Sequence, residues 1–414
     1  MNSIPDKPAL PVNKPVLNMK ESEKSHVVTE DVVEEELPQE LKSGISSLPY
    51  AARIAASKLL ALIGEDGVSE VLMNGPNEIL FRKDGQRFFV DDINFENDDI
   101  YHKVINYVIL PMSNTADRIG ETPYLVEGQL EMPDAYDDNN VLYARVHIVA
   151  PPAVKTAKVT IAKKARYQYN IDDVYNKGSM SYEMASFIKA LARARVTTVL
   201  SGLSGSGKTT LLEAMSFDFD TNDRIIVVED TPEIRLPLED VVYLPAHSAK
   251  PGQEMKNSVS VEWLAAQANR MRPDRIIIGE CRGEEMSEFI SAANSGADGS
   301  ITTIHASSPR QALDKILSLC MKSDDSKSEH SVLRDISTTI QIIIQTNLIE
   351  GKHVISHIEE ISNTIRKEGS SIATTTLFEY DRATECFIPK NRPSEQLAAY
   401  MANRGVAIDS AWFK

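Results

Sequence analysis

Val196-Thr-Thr-Val-Leu200-Ser-Gly202-Leu-Ser204-Gly205-Ser206-Gly207-Lys208-Thr209-Thr210 says more about the architecture of this chain than any other segment. Residues 196–200 form a short apolar, β-branched run that reads as a buried strand. Residues 202–209 satisfy the pattern G-x-x-x-x-G-K-[ST] in full. Gly202, Ser204, Gly205, Ser206 and Gly207 let backbone N–H groups turn inward and wrap phosphate oxygens, and Gly205 adds a third flexible position to the pattern's two glycines. A helix starting at this point aims the positive end of its dipole at the same phosphates. Lys208 would neutralise the β and γ phosphates, the Thr209 hydroxyl would coordinate Mg2+, and Thr210 completes the nucleotide-binding set. Strand, phosphate loop and helix in this order predict an α/β enzyme that binds and cleaves ATP.

Downstream of the loop, apolar strand patterns over 225–228, 276–278 and 301–304 alternate with helical patterns over 263–271, 284–294 and 311–321. Such alternation predicts a mostly parallel sheet with helices on both faces. Beyond residue 331 the pattern changes to 340–344 and 353–361 about Glu350-Gly351-Lys352, which predicts an antiparallel extension. Parallel sheets bind ligands at the carboxyl ends of their strands, so the residue after each strand is informative. Leu200 leads into the phosphate loop, Val228 into Glu229-Asp230, Ile278 into Gly279-Glu280, and Ile304 into His305. One sheet edge thus gathers a cation, two acidic positions and an imidazole, a set able to hydrolyse a γ-phosphate.

In the usual second nucleotide motif an apolar strand ends in Asp-Glu, the Asp holding Mg2+. Here Gly279-Glu280 follows Ile278, so the metal-holding Asp is missing. Glu280 is assigned to the metal side, directly or through water, and Glu229 to orienting the attacking water. The reverse assignment stays open at this stage. Asp230 could share either task, and Glu233 reads as a salt-bridge or surface residue. His305 is placed as a γ-phosphate sensor or proton partner. The cation completing the site is sought among Arg118, Arg145, Arg270, Arg272, Arg275 and Arg282.

Upstream of the loop, Ser181 opens an amphipathic helix over 182–194, and residues 165–180 are polar without a period and read as a linker. Residues 49–164 combine a helix over 51–63, a meander of strands over 71–73, 79–81 and 87–90, a helix over 100–108 and strands over 123–130, 141–149 and 159–161. They form a smaller α+β domain. Residues 1–48 carry five prolines, many Lys and Glu and no aromatic side chain, the composition of a disordered tail. The P-loop domain then spans 181–414.

The formal net charge of -16 opposes a phosphate-facing surface, so no direct nucleic-acid partner is expected. Cys281, Cys320 and Cys386 show no metal or disulfide spacing, which suits a reducing cytoplasm. No run of about eighteen apolar residues occurs, and membrane association is expected only through partners.

Two segments carry a resemblance. Arg270-Met-Arg-Pro-Asp-Arg-Ile-Ile-Ile-Gly-Glu-Cys-Arg-Gly283 and Gly299-Ser-Ile-Thr-Thr-Ile-His-Ala-Ser-Ser-Pro309 resemble the traffic ATPases of type II and type IV secretion, with wording nearest the tight-adherence (Flp) pilus branch. Val228-Glu229-Asp230-Thr231 resembles the family's Asp box, Gly279-Glu280 its Walker B and His305 its His box. Asn74-Gly75 with its flanking strands resembles the N-terminal domain. The resemblance implies a RecA-like core behind a PAS-like α+β domain, a cytoplasmic homohexamer using ATP and Mg2+, and work at inner-membrane platform proteins to assemble pili or export substrates. It also implies that Arg145 reaches the phosphates from the first domain. Relatives tend to read Ser-Ile-Arg-Arg-Phe where this chain has Thr160-Ile161-Ala162-Lys163-Lys164, which leaves Lys163 as the substitute cation. The rival readings are a RecA-like nucleic-acid translocase, which the acidic balance opposes, and a non-hydrolysing nucleotide sensor.

Overall fold

The computed structural model describes residues 45–65, 67–83, 86–111, 125–134, 137–163, 168–246, 259–323, 328–365 and 371–413. The expected tail up to residue 44, Arg118 and Lys164 lie outside the described residues. Two sheets organise the rest.

The first sheet has six strands: β1 (Val68–Gly75), β2 (Glu78–Lys83), β3 (Gln86–Val90), β4 (Leu125–Asp134), β5 (Asp137–Val149) and β6 (Lys158–Lys163). Every neighbouring pair in the order β3-β2-β1-β6-β5-β4 is antiparallel. Helix α1 (Tyr50–Gly64) buries Ala52, Ala55, Ala56, Leu59, Leu60 and Ile63 against it, the spacing of one helix face. Helix α2 (Asp98–Val104) starts where the Asn97 side chain accepts from Ile100 N, and it sets Tyr101 in the core with its hydroxyl donating to the Met73 and Ala157 carbonyls. Burial, and secondarily the Asp98 charge, push that phenol well above the ordinary tyrosine range, so it remains a donor.

The second sheet has nine strands. They are β7 (Thr198–Gly202), β8 (Ile225–Glu229), β9 (Val241–Pro245), β10 (Arg275–Ile278), β11 (Ile301–Ile304), β12 (Ile342–Ile349), β13 (Lys352–Ile365), β14 (Ile372–Asp381) and β15 (Cys386–Pro389), in the order β15-β14-β13-β12-β7-β11-β10-β8-β9. From β12 through β9 all pairs are parallel, and from β12 through β15 all are antiparallel. Successive strand residues enter opposite cores. Ile225, Val227, Ile277 and Ile301 join one apolar cluster, while Ile226, Val228, Ile276, Ile278 and Ile304 join the other. Burial on both faces is why these strands read as unbroken apolar runs instead of alternating ones.

Helices cover both faces: α3 (Ile171–Asn176), α4 (Tyr182–Arg193), α5 (Lys208–Ser216), α6 (Val261–Ala268), α7 (Glu285–Asn294), α8 (Pro309–Ser323), α9 (Glu329–Thr339) and α10 (Glu395–Ala402). Ser181 caps α4 by accepting from Met184 N, and Ser260 caps α6 by accepting from Trp263 N. Helix α3 falls inside the stretch whose polar composition suggests a linker. Asn170 and Asp173 form a reciprocal capping box, and Ile171 is buried in the second domain's core. Strands β9, β14 and β15 and helices α9 and α10 are not foreseen from sequence pattern. β9 is a half-exposed edge strand with no clean alternation, and α9 buries only Val332, Leu333 and Ile336 among its apolar side chains.

Candidate active site

The phosphate loop joins β7 to α5. Gly205 at φ +70° and Gly207 at φ +93° occupy the left-handed region, which lets the loop fold over the start of α5. A Cβ on Gly202 would collide with Ser206 Oγ and Thr346. That close approach is used: Ser206 Oγ and Thr346 Oγ1 are 2.8 Å apart, and Thr346 Oγ1 donates to the Ser201 carbonyl at 3.2 Å, so β12 forms the loop's floor. His353 stands at the loop's outer side, its Nδ1 3.3 Å from where a Gly207 Cβ would lie.

Lys208 is only 7% exposed, and its Nζ donates to the Gly202 and Leu203 carbonyls, both at 3.0 Å. Burial lowers its pKa to about 8, with the Lys315 and Arg282 charges adding to the effect and Glu280 opposing it. The same Nζ lies 3.4 Å from His305 Nδ1. An ammonium only donates, so Nδ1 faces it as an acceptor and the imidazole proton sits on Nε2. Nε2 in turn lies 3.0 Å from Glu280 Oε1. Burial and the Lys208 charge hold His305 below the ordinary histidine range despite Glu280, which keeps the ring neutral at neutral pH.

Glu280 is half-buried. Burial pushes its carboxyl up, but a 2.8 Å hydrogen bond from Arg282 Nη2 and the charges of His305, Arg282 and Lys208 outweigh that and hold it below the usual carboxylate range. His305 apart, its buried Oε1 has no hydrogen-bond partner among the described residues. An ionised oxygen so placed, with the Thr209 hydroxyl on the neighbouring α5, fits a hard divalent cation that keeps most ligands as water and phosphate. The described residues hold no cluster of three or more His, Cys, Asp or Glu able to cage a metal without a nucleotide.

Glu229 ends β8, the strand beside β10, and is 6% exposed. Its Oε1 accepts from Glu233 N at 3.0 Å and Ile234 N at 2.9 Å. A Cβ on Gly279 would stand 3.0 Å from Glu229 Cγ, so the missing Asp has a steric reason: the Glu229 side chain fills that space. His305 therefore touches both Lys208 and Glu280, and Glu229 packs against Gly279, the residue before Glu280.

The arginine candidates separate. Arg145 forms an ion pair with Glu233, four residues beyond Glu229. Arg282 belongs to the Glu280 cluster. Arg275 does not serve the site. It is 1% exposed, bonded to Asp223 at 2.6 Å and to the Ala192 and Gly299 carbonyls, and it lies over the Phe219 ring. Its position opens β10, at the opposite end from Glu280. Arg270 and Arg272 are exposed near that same end. Lys163 donates to the Glu65 carbonyl at 2.7 Å. Sequence reasoning misses Lys315, Gln345, Thr346 and the Arg145 contact, none of which sits in a motif.

Residues 55–387 match the family described as Type II/IV secretion system protein. The Type IV secretion system protein VirB11 of Bartonella quintana is 31% identical over 265 residues, covering 54% of this chain and 74% of that protein. The VirB11 of Bartonella henselae is 33% identical over 251 residues, covering 52% and 70%. The X-ray structure of the Legionella pneumophila ATPase DotB shares the fold at a TM-score of 0.54 and 18% identity, covering 74% of this chain and 79% of DotB. With most of its length matched, the chain belongs to the type II/IV secretion system protein family and is one of that family's ATPases.

Proposed function

We propose that this ATPase is a cytoplasmic motor that works as a homohexamer with Mg2+, engages inner-membrane platform proteins, and belongs to the tight-adherence pilus branch. The observation that carries the hydrolytic reading is the contact chain Lys208–His305–Glu280 at three adjoining strand ends. Lys208 rests on two neutral carbonyls in this arrangement, and phosphate oxygens offer its ammonium stronger acceptors. Its departure toward them frees His305 Nδ1, so the imidazole reports an occupied γ position while Nε2–H stays on Glu280. Mg2+, when bound through Thr209 and Glu280, supplies charge neutralisation at the β and γ phosphates. Glu229, braced by two backbone N–H groups, is the carboxylate assigned to orient the attacking water, and Arg145, paired with Glu233, is the first-domain cation assigned to complete the site.

Steady-state phosphate release tests this reading. Lys208→Ala and Glu280→Gln each lower turnover by about a hundredfold or more. Wild-type turnover in either variant would falsify it. Native mass spectrometry with nucleotide tests the ring, for which a persistent monomer is the contrary result. The wording of 270–283 and 299–309 supports the pilus branch. Neighbouring genes for pilin and platform proteins are expected, and a conjugation operon in their place overturns that assignment.

A further inference from the structure

Two side chains outside every motif hold the segment that carries His305. Lys315 Nζ on α8 donates to the His305 carbonyl at 3.1 Å, and Gln345 Nε2 on β12 donates to the Ala306 carbonyl at 3.2 Å. Both carbonyls lie past the last residue of β11, where the chain leaves the sheet and needs donors from elsewhere. A half-buried ammonium is an uncommon choice for one neutral carbonyl. The described residues give Lys315 no carboxylate partner, and it stands close to a second ammonium, Lys208. Both Lys208 and His305 feel its charge as a secondary effect behind burial. An ammonium kept there at an electrostatic cost points to the one bond it makes among the described residues, which fixes the main chain of His305.

We propose that Lys315 is a positioning residue for ATP hydrolysis: by fixing the main chain of His305 it holds the imidazole between Lys208 and Glu280. This rests on the reading of His305 as the γ-phosphate partner. Because its bond runs to the carbonyl, Lys315 acts through His305 and not on substrate.

The test is a double-mutant cycle on the full chain, measuring kcat, ATP Kd and thermal unfolding. Lys315→Met lowers kcat about tenfold or more while ATP Kd stays within about threefold, the split expected of lost positioning. Lys315→Arg, which keeps charge and reach, recovers most of that rate, and Lys315→Gln serves where the Met variant does not fold. The Lys315→Met/His305→Ala double variant is no slower than His305→Ala alone, since the two act as one unit. Wild-type turnover in His305→Ala removes the underlying reading and this inference with it. A slow His305→Ala beside an unaffected Lys315→Met, losses that multiply, or a Kd that rises tenfold with kcat kept overturns the Lys315 inference alone.

Discussion

The strand-end cluster and the cross-domain contact are built on opposite principles. Lys208 and Glu229 are nearly buried, and each is held by at least two protein hydrogen bonds. Arg145 and Glu233 meet between domains with 43% and 39% of their side chains exposed. Water screens the second contact and barely reaches the Lys208 and Glu229 side chains of the first. The geometry proposed to cleave ATP is therefore held within the second domain, whereas the link to the first domain is one that a competing anion can replace.

The largest break in this contrast comes from adding one carbon to the locked side. Gly279→Ala sets a Cβ 3.0 Å from Glu229 Cγ, and Glu229 cannot give way freely because Glu233 N and Ile234 N hold it. A displacement of a few tenths of an ångström lowers kcat about tenfold to a hundredfold, while overpacking costs about 1–3 kcal/mol of stability. Turnover and chemical denaturation on the same sample measure both. An unchanged kcat would show that Glu229 is not held in register by Gly279.

A smaller effect comes from the Lys208 ammonium. Its pKa in the nucleotide-free chain is about 8, and bound phosphate favours the charged form and raises it. ATP affinity is then complete below about pH 8 and falls as pH rises through that value. Between pH 7 and pH 9 the Kd rises by about tenfold, by the linkage between proton and ligand. Isothermal titration in buffers of different ionisation enthalpy also detects proton uptake on binding at pH 9. A flat Kd across this range, or proton release, contradicts a buried lysine poised to meet phosphate.

The same contrast explains what is legible in the sequence. The phosphate loop can be read because its chemistry forces glycine, lysine and threonine into fixed spacing, and the parallel strands because burial on both faces makes them uniformly apolar. Glu229, Glu280 and His305 emerge from reading the one or two residues that follow each apolar strand run. Lys315 and Gln345 cannot be found this way. Gln345 lies 39 residues from the carbonyl it bonds, and only the β7–β12 pairing brings it there. Arg275 misleads in the other direction. An arginine near a motif suggests an exposed cation, but Asp223 and two main-chain carbonyls make it a core residue. Helix α9 escapes notice because its apolar face is brief and its capping signal, Ser328, comes after a polar run.

The smallest effect belongs to the exposed side. Glu233→Gln removes a solvent-screened partner of Arg145 and moves unfolding by about 1 kcal/mol or less. Its consequence for function has a definite sign. With Glu233 neutral, Arg145 loses the carboxylate that pairs with it, so ATP binds about threefold more tightly, a gain within the worth of one exposed ion pair. In an Arg145→Ala background the same Glu233→Gln change leaves ATP affinity alone, because the competition it relieves is gone. Fluorescent-nucleotide titration of the four proteins measures this cycle. Weaker binding in Glu233→Gln, or an equal gain with and without Arg145, shows that the ion pair only joins the domains and takes no part in handing a cation to the nucleotide.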